Sequence, residues 1–189
     1  MLTIESLESR HISALQEIIA DREMAETSDI PSDPEPDAAS GWVARMRLME
    51  EEGTGRTFAV VADGVVVGAC GLHHMDREHG TAELGFFVGK RYWRRGYAVS
   101  ACRLLLARAF AGLGLQSVHA GCLAWNEGAN AVLRKLDFQP SHDCPPPPES
   151  KFPATETYRY WCLAREQWIS REASAANAGS TASVEHPGI

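Results

Sequence analysis

Apolar and polar positions along this chain change period several times, and each change marks a predicted element. Over residues 7–19 the apolar positions Leu7, Ile12, Leu15, Ile18 and Ile19 fall at helical spacing. Pro31, Pro34 and Pro36 then forbid a helix through the stretch that follows, because proline lacks the N–H a helix needs. A second helix reads over residues 38–51 and stops at Gly53 and Gly55. Residues 58–61 and 65–72 read as strands. Between them Asp63-Gly64 is a hairpin turn signal, since both residues tolerate positive φ. Residues 81–88 form a third strand.

Residues 96–110 return to helical period, with Ala98, Ala101, Cys102, Leu105, Leu106 and Ala109 on one stripe, as in a helix packed on a sheet. Gly112 and Gly114 stop it. Residues 117–123 read as a strand. Residues 127–136 read as a helix that turns Ala129, Val132, Leu133 and Leu136 inward. The run Pro145 to Pro148 dictates a loop, and a late strand covers residues 158–163. From residue 169 the chain is rich in Ala, Ser and Gly and is expected to lack fixed structure. The fold class that follows is α/β (α+β): one domain over residues 1–168, with a mixed, mostly antiparallel twisted sheet and helices on both faces.

Composition narrows the function. The 189 residues carry a formal net charge of −7, which argues against general nucleic-acid binding. No apolar run is long enough to suggest a membrane span, and the first residues do not read as a secretory signal. Five cysteines, with no CxxC pair, point to reduced thiols and a cytoplasmic setting. The charge is unevenly placed. Residues 90–95 read KRYWRR, four cations in six residues, directly before Gly96 and a helix. Residues 21–37 are acidic and would attract a protonated amine if they wall a cleft.

The basic run carries the chemistry. The first turn of a helix has N–H groups without partners and a partial positive charge. A glycine there lets backbone approach an anion, and Arg94 and Arg95 can add charge-assisted bonds to phosphate oxygens. Two phosphate motifs are missing: there is no GxxxxGK[ST] and no GxGxxG after a strand. His73, His74, His79 and Cys70 lack ordinary zinc spacing, so no metal is expected, though one of these histidines could line a cleft.

The segment AELGFFVGKRYWRRGYAVSACRLLLARAF resembles the acetyl-CoA-binding core of the GNAT superfamily. That family's signature is Gln or Arg, two residues, Gly, one residue, then Gly or Ala. Here Trp93-Arg94-Arg95-Gly96-Tyr97-Ala98 stands in those places. Trp at the first place departs from the general pattern and is similar to the RimJ/RimL branch, as are AELGFFV, Asn126-Glu127 and the LRKLDF of residues 133–138. The resemblance covers residues 58–138 and, more weakly, the chain to residue 168.

It implies an N-acetyltransferase that takes acetyl from acetyl-CoA and gives it to a primary amine, on a small molecule or at a protein N-terminus, as a monomer or homodimer. Backbone N–H groups of Arg94, Arg95, Gly96, Tyr97 and Ala98 would hold the pyrophosphate. Backbone of Phe86, Phe87 and Val88 would pair with the pantetheine arm as an added strand does. The gap between the 81–88 and 117–123 strands would make room for it. Asn126 would touch the arm or cap its helix. Glu83 would be the general base, on one face with Gly85 and Phe87, its carboxyl raised by burial. Ala129 and Leu133 occupy the places where relatives carry a hydroxyl acid, so the general acid is unassigned. Two other readings stay open: a small-molecule (antibiotic or polyamine) acetyltransferase, and a silent CoA-binding protein of the same fold.

Overall fold

A computed structural model describes residues 1–28, 35–148 and 150–181. Seven strands form one sheet: β1 Leu2–Ser6, β2 Arg56–Ala62, β3 Val65–Asp76, β4 Thr81–Val88, β5 Ser117–Leu123, β6 Gln139–Cys144 and β7 Tyr158–Ala164. Their order is β1-β2-β3-β4-β5-β7-β6. Every neighbouring pair is antiparallel except β4 with β5, which is parallel. The β2–β3 hairpin turns at Asp63 and Gly64, with φ of 49° and 80°, as the sequence predicts.

The helices are α1 Ile12–Ile19, α2 Arg22–Thr27, α3 Ala38–Glu52, α4 Tyr97–Ala107, α5 Glu127–Lys135 and α6 Arg165–Thr181. They cover both faces of the sheet, and the period-two pattern of the strands assigns a side chain to each. On one face Leu72, Leu84, Val118 and Ala120 pack with Ala101, Cys102, Leu105 and Leu106 of α4 and Leu133 of α5. On the other, Ala59, Val61 and Ala69 pack with Leu15 and Ile19 of α1 and Ala39, Val43 and Met46 of α3. Burying one such Leu or Val side chain contributes ~1.5–3 kcal/mol. Among the described residues no helix is long and apolar enough to cross a membrane.

The structure departs from the sequence expectations at four places. β1 is a strand because it pairs with all but the start of β2, Leu2 opposite Ala62 through Ser6 opposite Phe58; five residues alone carry too little alternation to show this. β6 is polar and exposed, contains Pro140, and exists as an edge strand on β7, where proline is tolerated. The acidic stretch holds the short helix α2 ahead of its prolines, started by Asp21, whose side chain accepts from the Glu23 N–H at 3.0 Å. Pro31 and Pro34 lie outside the described residues.

The fourth departure corrects the expected structureless tail after residue 168: α6 continues to Thr181. Alanine and glutamate favour a helix once its start is anchored. Here buried Trp168 supplies the anchor, its ring 5.9 Å from that of Phe110, and Arg171 pairs with Asp137. Residues 182–189 lie outside the described residues.

Candidate active site

β4 is where the two halves of the site meet. It pairs with β5 only at Thr81, Ala82 and Glu83, opposite Ser117, Val118 and His119. Beyond Glu83 the two strands part, while β4 stays paired to β3 as far as Val88. The Gly89 N–H donates to the Val67 carbonyl at 2.9 Å. In an antiparallel ladder such bonded positions alternate. The N–H and C=O groups of Phe87 and Gly85 are therefore spent on β3. Those of Leu84, Phe86 and Val88 face the opening beside β5. Of the three β4 residues expected to pair with a ligand arm, Phe86 and Val88 present their backbone there. Phe87 instead turns its side chain to the α3 face, where it meets Trp42 edge-on at 5.7 Å.

The basic run bridges this opening to α4, and its cations divide into two pairs. Lys90 and Arg91 are engaged by carboxylates of the N-terminal helices, Glu23 and Glu17 respectively. Arg94 and Arg95 are exposed and have no ion-pair partner among the described residues; the Arg95 guanidinium lies 6.0 Å from the Tyr92 ring centre. Arg94 has φ of 62° and Gly96 φ of 78°. This left-handed backbone suits glycine, and a Cβ at Gly96 would meet no atom within 4 Å, so its neighbourhood is open.

The first helical bond of α4 runs from Ser100 N–H to the Gly96 carbonyl. The N–H groups of residues 97–99 thus have no partner within the helix, and no acidic side chain fills the first turn. An open glycine turn, free helical N–H groups and two free guanidiniums fit a pyrophosphate.

Trp93 has a role that the sequence did not reveal. Its indole N–H donates to the Val88 carbonyl at 2.6 Å. The residue at the first signature place therefore ties the turn to the end of β4, which leaves the Val88 N–H as the polar group that this residue offers to the opening.

On the α3 face of β4 lies a cavity of about 510 Å³. Its floor is clear because Gly71 and Gly85 sit opposite each other on β3 and β4. A Cβ on Gly85 would come within 3.1 Å of the His73 ring, and one on Gly71 within 2.5 Å of the Thr57 hydroxyl. Trp42 and Phe87 form an aromatic wall, and Arg45 lies along the same side of α3 as Trp42, three residues on. His73 lines the cavity. Burial, helped by the nearby charges of His74 and Arg45, lowers its pKa to about 4, so its ring is neutral at pH 7.

Glu83 is half-buried beside this cavity, at the point where β4 and β5 part. Its register partners are His73 on β3 and His119 on β5, so the three stand in a row across the sheet. His79, by contrast, bonds to Asp76 at 2.7 Å, away from His73.

Asn126 caps α5, its amide oxygen accepting from the Ala129 N–H at 3.0 Å. Its amide nitrogen donates to the Thr27 carbonyl at 2.9 Å, so the same side chain straps α5 to the end of α2. Asn130 is fully buried. It donates to the carbonyls of Leu123, Ala124 and Asn126 and accepts from the Trp161 indole. That network holds the end of β5 to the start of α5 and makes Asn130 structural. Leu133 is buried in the core and Ala129 packs at its edge. Asp137 has φ of 62°, the left-handed turn expected of it.

Comparison with known proteins shows the family. Residues 1–139 match the acetyltransferase (GNAT) domain family. The chain is 26% identical over 140 residues to the uncharacterized N-acetyltransferase p20 of Bacillus licheniformis, covering 73% of this chain and 79% of that protein. Its fold is similar to that of RimL, a ribosomal L7/L12 α-N-protein acetyltransferase solved with coenzyme A, at a TM-score of 0.76 and 13% identity, over 88% of this chain and 95% of that one. It is equally similar to spermidine N-acetyltransferase from Vibrio cholerae solved with CoA and spermine, at a TM-score of 0.76 and 14% identity, over 89% and 98%.

Proposed function

The chain belongs to the GNAT acetyltransferase family, and from that premise we propose that it transfers an acetyl group from acetyl-CoA to a primary amine in the cytoplasm. The observation that carries this reading is the parting of β4 from β5 immediately after Glu83, next to the open turn at Gly96. The five free thiols support a reducing compartment.

Acetyl-CoA supplies the activated thioester. The chain's own residues bind and orient it. Residues 97–99 offer helical N–H groups to the pyrophosphate, and Arg94 and Arg95 add two cations. Phe86 and Val88 offer backbone groups to the amide-bearing arm, as an edge strand does. The arm then points along β4 toward Glu83. The acceptor amine enters from the cavity on the α3 face.

An amine must be neutral to attack. A primary amine is mostly protonated at pH 7, so Glu83 takes its proton, directly or through a water. The amine nitrogen bonds to the acetyl carbon, the carbon–sulfur bond breaks, and the sulfur leaves as thiolate. With Ala129 and Leu133 at the places of the usual acids, the thiolate takes its proton from solvent; a thiol of pKa ≈ 8.5 leaves readily.

Of the acidic stretch expected to steer cations, Asp21 caps α2 and Glu23 holds Lys90. These two carboxylates serve the fold, which weakens the case for steering. The test is release of free thiol from acetyl-CoA across a panel of peptides, polyamines and amino acids, with mass spectrometry of each acceptor. The expected result is thiol release matched by gain of one acetyl group on an amine. Binding of acetyl-CoA without transfer to any amine would favour the silent CoA-binding alternative.

A further inference from the structure

We propose that the acceptor is a small amine that also carries a carboxylate, an amino acid or short peptide with an apolar body, and that Arg45 is the residue that selects it. The proposal rests on the acetyltransferase reading and names the substrate class of the same site.

The cavity lining carries the argument. Its walls are apolar and aromatic, from Trp42, Phe87, Ile19, Ala38 and Ala69. Among the described residues that line it, the one formal charge is the Arg45 guanidinium, and Glu83 stands beside the cavity where β4 and β5 part. Arg45 has no ion-pair partner among the described residues, so its donors are available. Of the carboxylates on the neighbouring helices, Glu17 pairs with Arg91 and Glu23 with Lys90. The guanidinium is close enough to His73 for its charge to help lower that group's pKa, so the positive field reaches the cavity floor.

Such a site treats two kinds of amine oppositely. A polyamine brings a second cation toward the exposed Arg45 guanidinium, and the two like charges repel. An amino acid brings a carboxylate that a guanidinium can bind through two parallel hydrogen bonds. Its apolar side chain meets Trp42 and Phe87. Neutral His73 neither repels the ammonium nor competes for the carboxylate. A volume of about 510 Å³ suits a ligand of this size.

The experiment compares acid with amide. L-phenylalanine, L-leucine and L-methionine are assayed as free acids and as α-amides, with spermidine as the carboxylate-free polycation, on the wild-type protein and on Arg45→Gln. The expected wild-type result is a preference of at least tenfold in kcat/KM for acid over amide, carried by KM, with spermidine the poorest acceptor. In Arg45→Gln the preference falls to within threefold, with acetyl-CoA affinity by calorimetry as the check on folding.

Equal use of acid and amide by the wild type, a preference that survives in Arg45→Gln, or spermidine as the best acceptor overturns the proposal. If no amine gains an acetyl group, the acetyltransferase reading fails separately. Calorimetric binding of L-phenylalanine against its amide to the enzyme–CoA complex then still decides the role of Arg45: tighter acid binding that is lost in Arg45→Gln upholds it, and equal binding rejects it.

Discussion

Along the edge that leaves β5, β4 offers backbone; on its α3 face it offers side chains. The proposed donor half of the site is made of N–H groups at Phe86, Val88 and residues 97–99, positioned by a glycine turn and a helix start. The proposed acceptor half is lined by Arg45, Trp42, His73 and Phe87, brought from one helix and two strands onto a floor cleared by two glycines. A backbone site tolerates varied side chains as long as the path of the chain is kept. A side-chain site changes with each substitution. Within one fold, the donor half can therefore stay constant while the acceptor half is retuned.

Glu83 sits where the halves meet, and removing its proton affinity is the largest expected effect. Glu83→Gln should lower kcat by at least ~10²-fold while acetyl-CoA affinity holds, because general base catalysis is typically worth ~10²–10⁴-fold. Part of the rate should return at high pH, where the amine loses its proton unaided. Steady-state kinetics against pH, with chemistry shown to be rate-limiting, checks this; a loss under about threefold would put Glu83 outside the mechanism.

The acceptor half should also betray itself in stability. His73 titrates at about 4 in the folded protein against 6.5 for an unperturbed histidine. The unfolded chain therefore binds the proton more readily, and stability is complete above pH 6.5 and is lost as pH falls toward 4. The loss is on the order of 1–3 kcal/mol. Urea unfolding at pH 4, 5.5 and 7 should show a shallower pH dependence for His73→Gln than for the wild type. Identical slopes would mean that His73 is not held neutral by the cavity.

On the donor half, Gly96→Glu places a strained side chain and a negative charge at the turn. Acetyl-CoA affinity should fall at least tenfold, ~1.4 kcal/mol, by calorimetry. Trp93→Phe is milder. It removes one half-buried hydrogen bond to Val88, worth about 1 kcal/mol, so KM for acetyl-CoA should rise by about fivefold or less, with kcat little moved. A larger effect in Trp93→Phe than in Gly96→Glu would reverse the assigned importance of turn and strap.

The same contrast explains what the sequence could reveal. The strands read at residues 81–88 and 117–123 match β4 and β5 to the residue, and the Gly96 turn follows from a basic run meeting a helix start. Local rules govern these features. β6 carries no local strand signal, since its residues QPSHDC become a strand only through pairing with β7. The continuation of α6 depends on Trp168 reaching Phe110, a contact between distant segments. The cavity is less legible still. His73 could be flagged as a strand-end residue able to line a cleft, but Arg45 and Trp42 look like ordinary helix positions until α3 is laid over β3 and β4. Trp93 is visible as a departure from the signature, yet its bond to Val88 needs the folded turn.

The most direct test of the two-sided account is an amide-shift map. Isotope-labelled protein is titrated with acetyl-CoA and the backbone N–H resonances are followed by NMR. The account predicts the largest changes at Phe86, Val88 and residues 94–99, with Phe87 and Gly85, whose N–H groups are spent on β3, moving less than their neighbours. Changes concentrated instead at Trp42, Arg45 and His73, with the Gly96 turn unmoved, would contradict it.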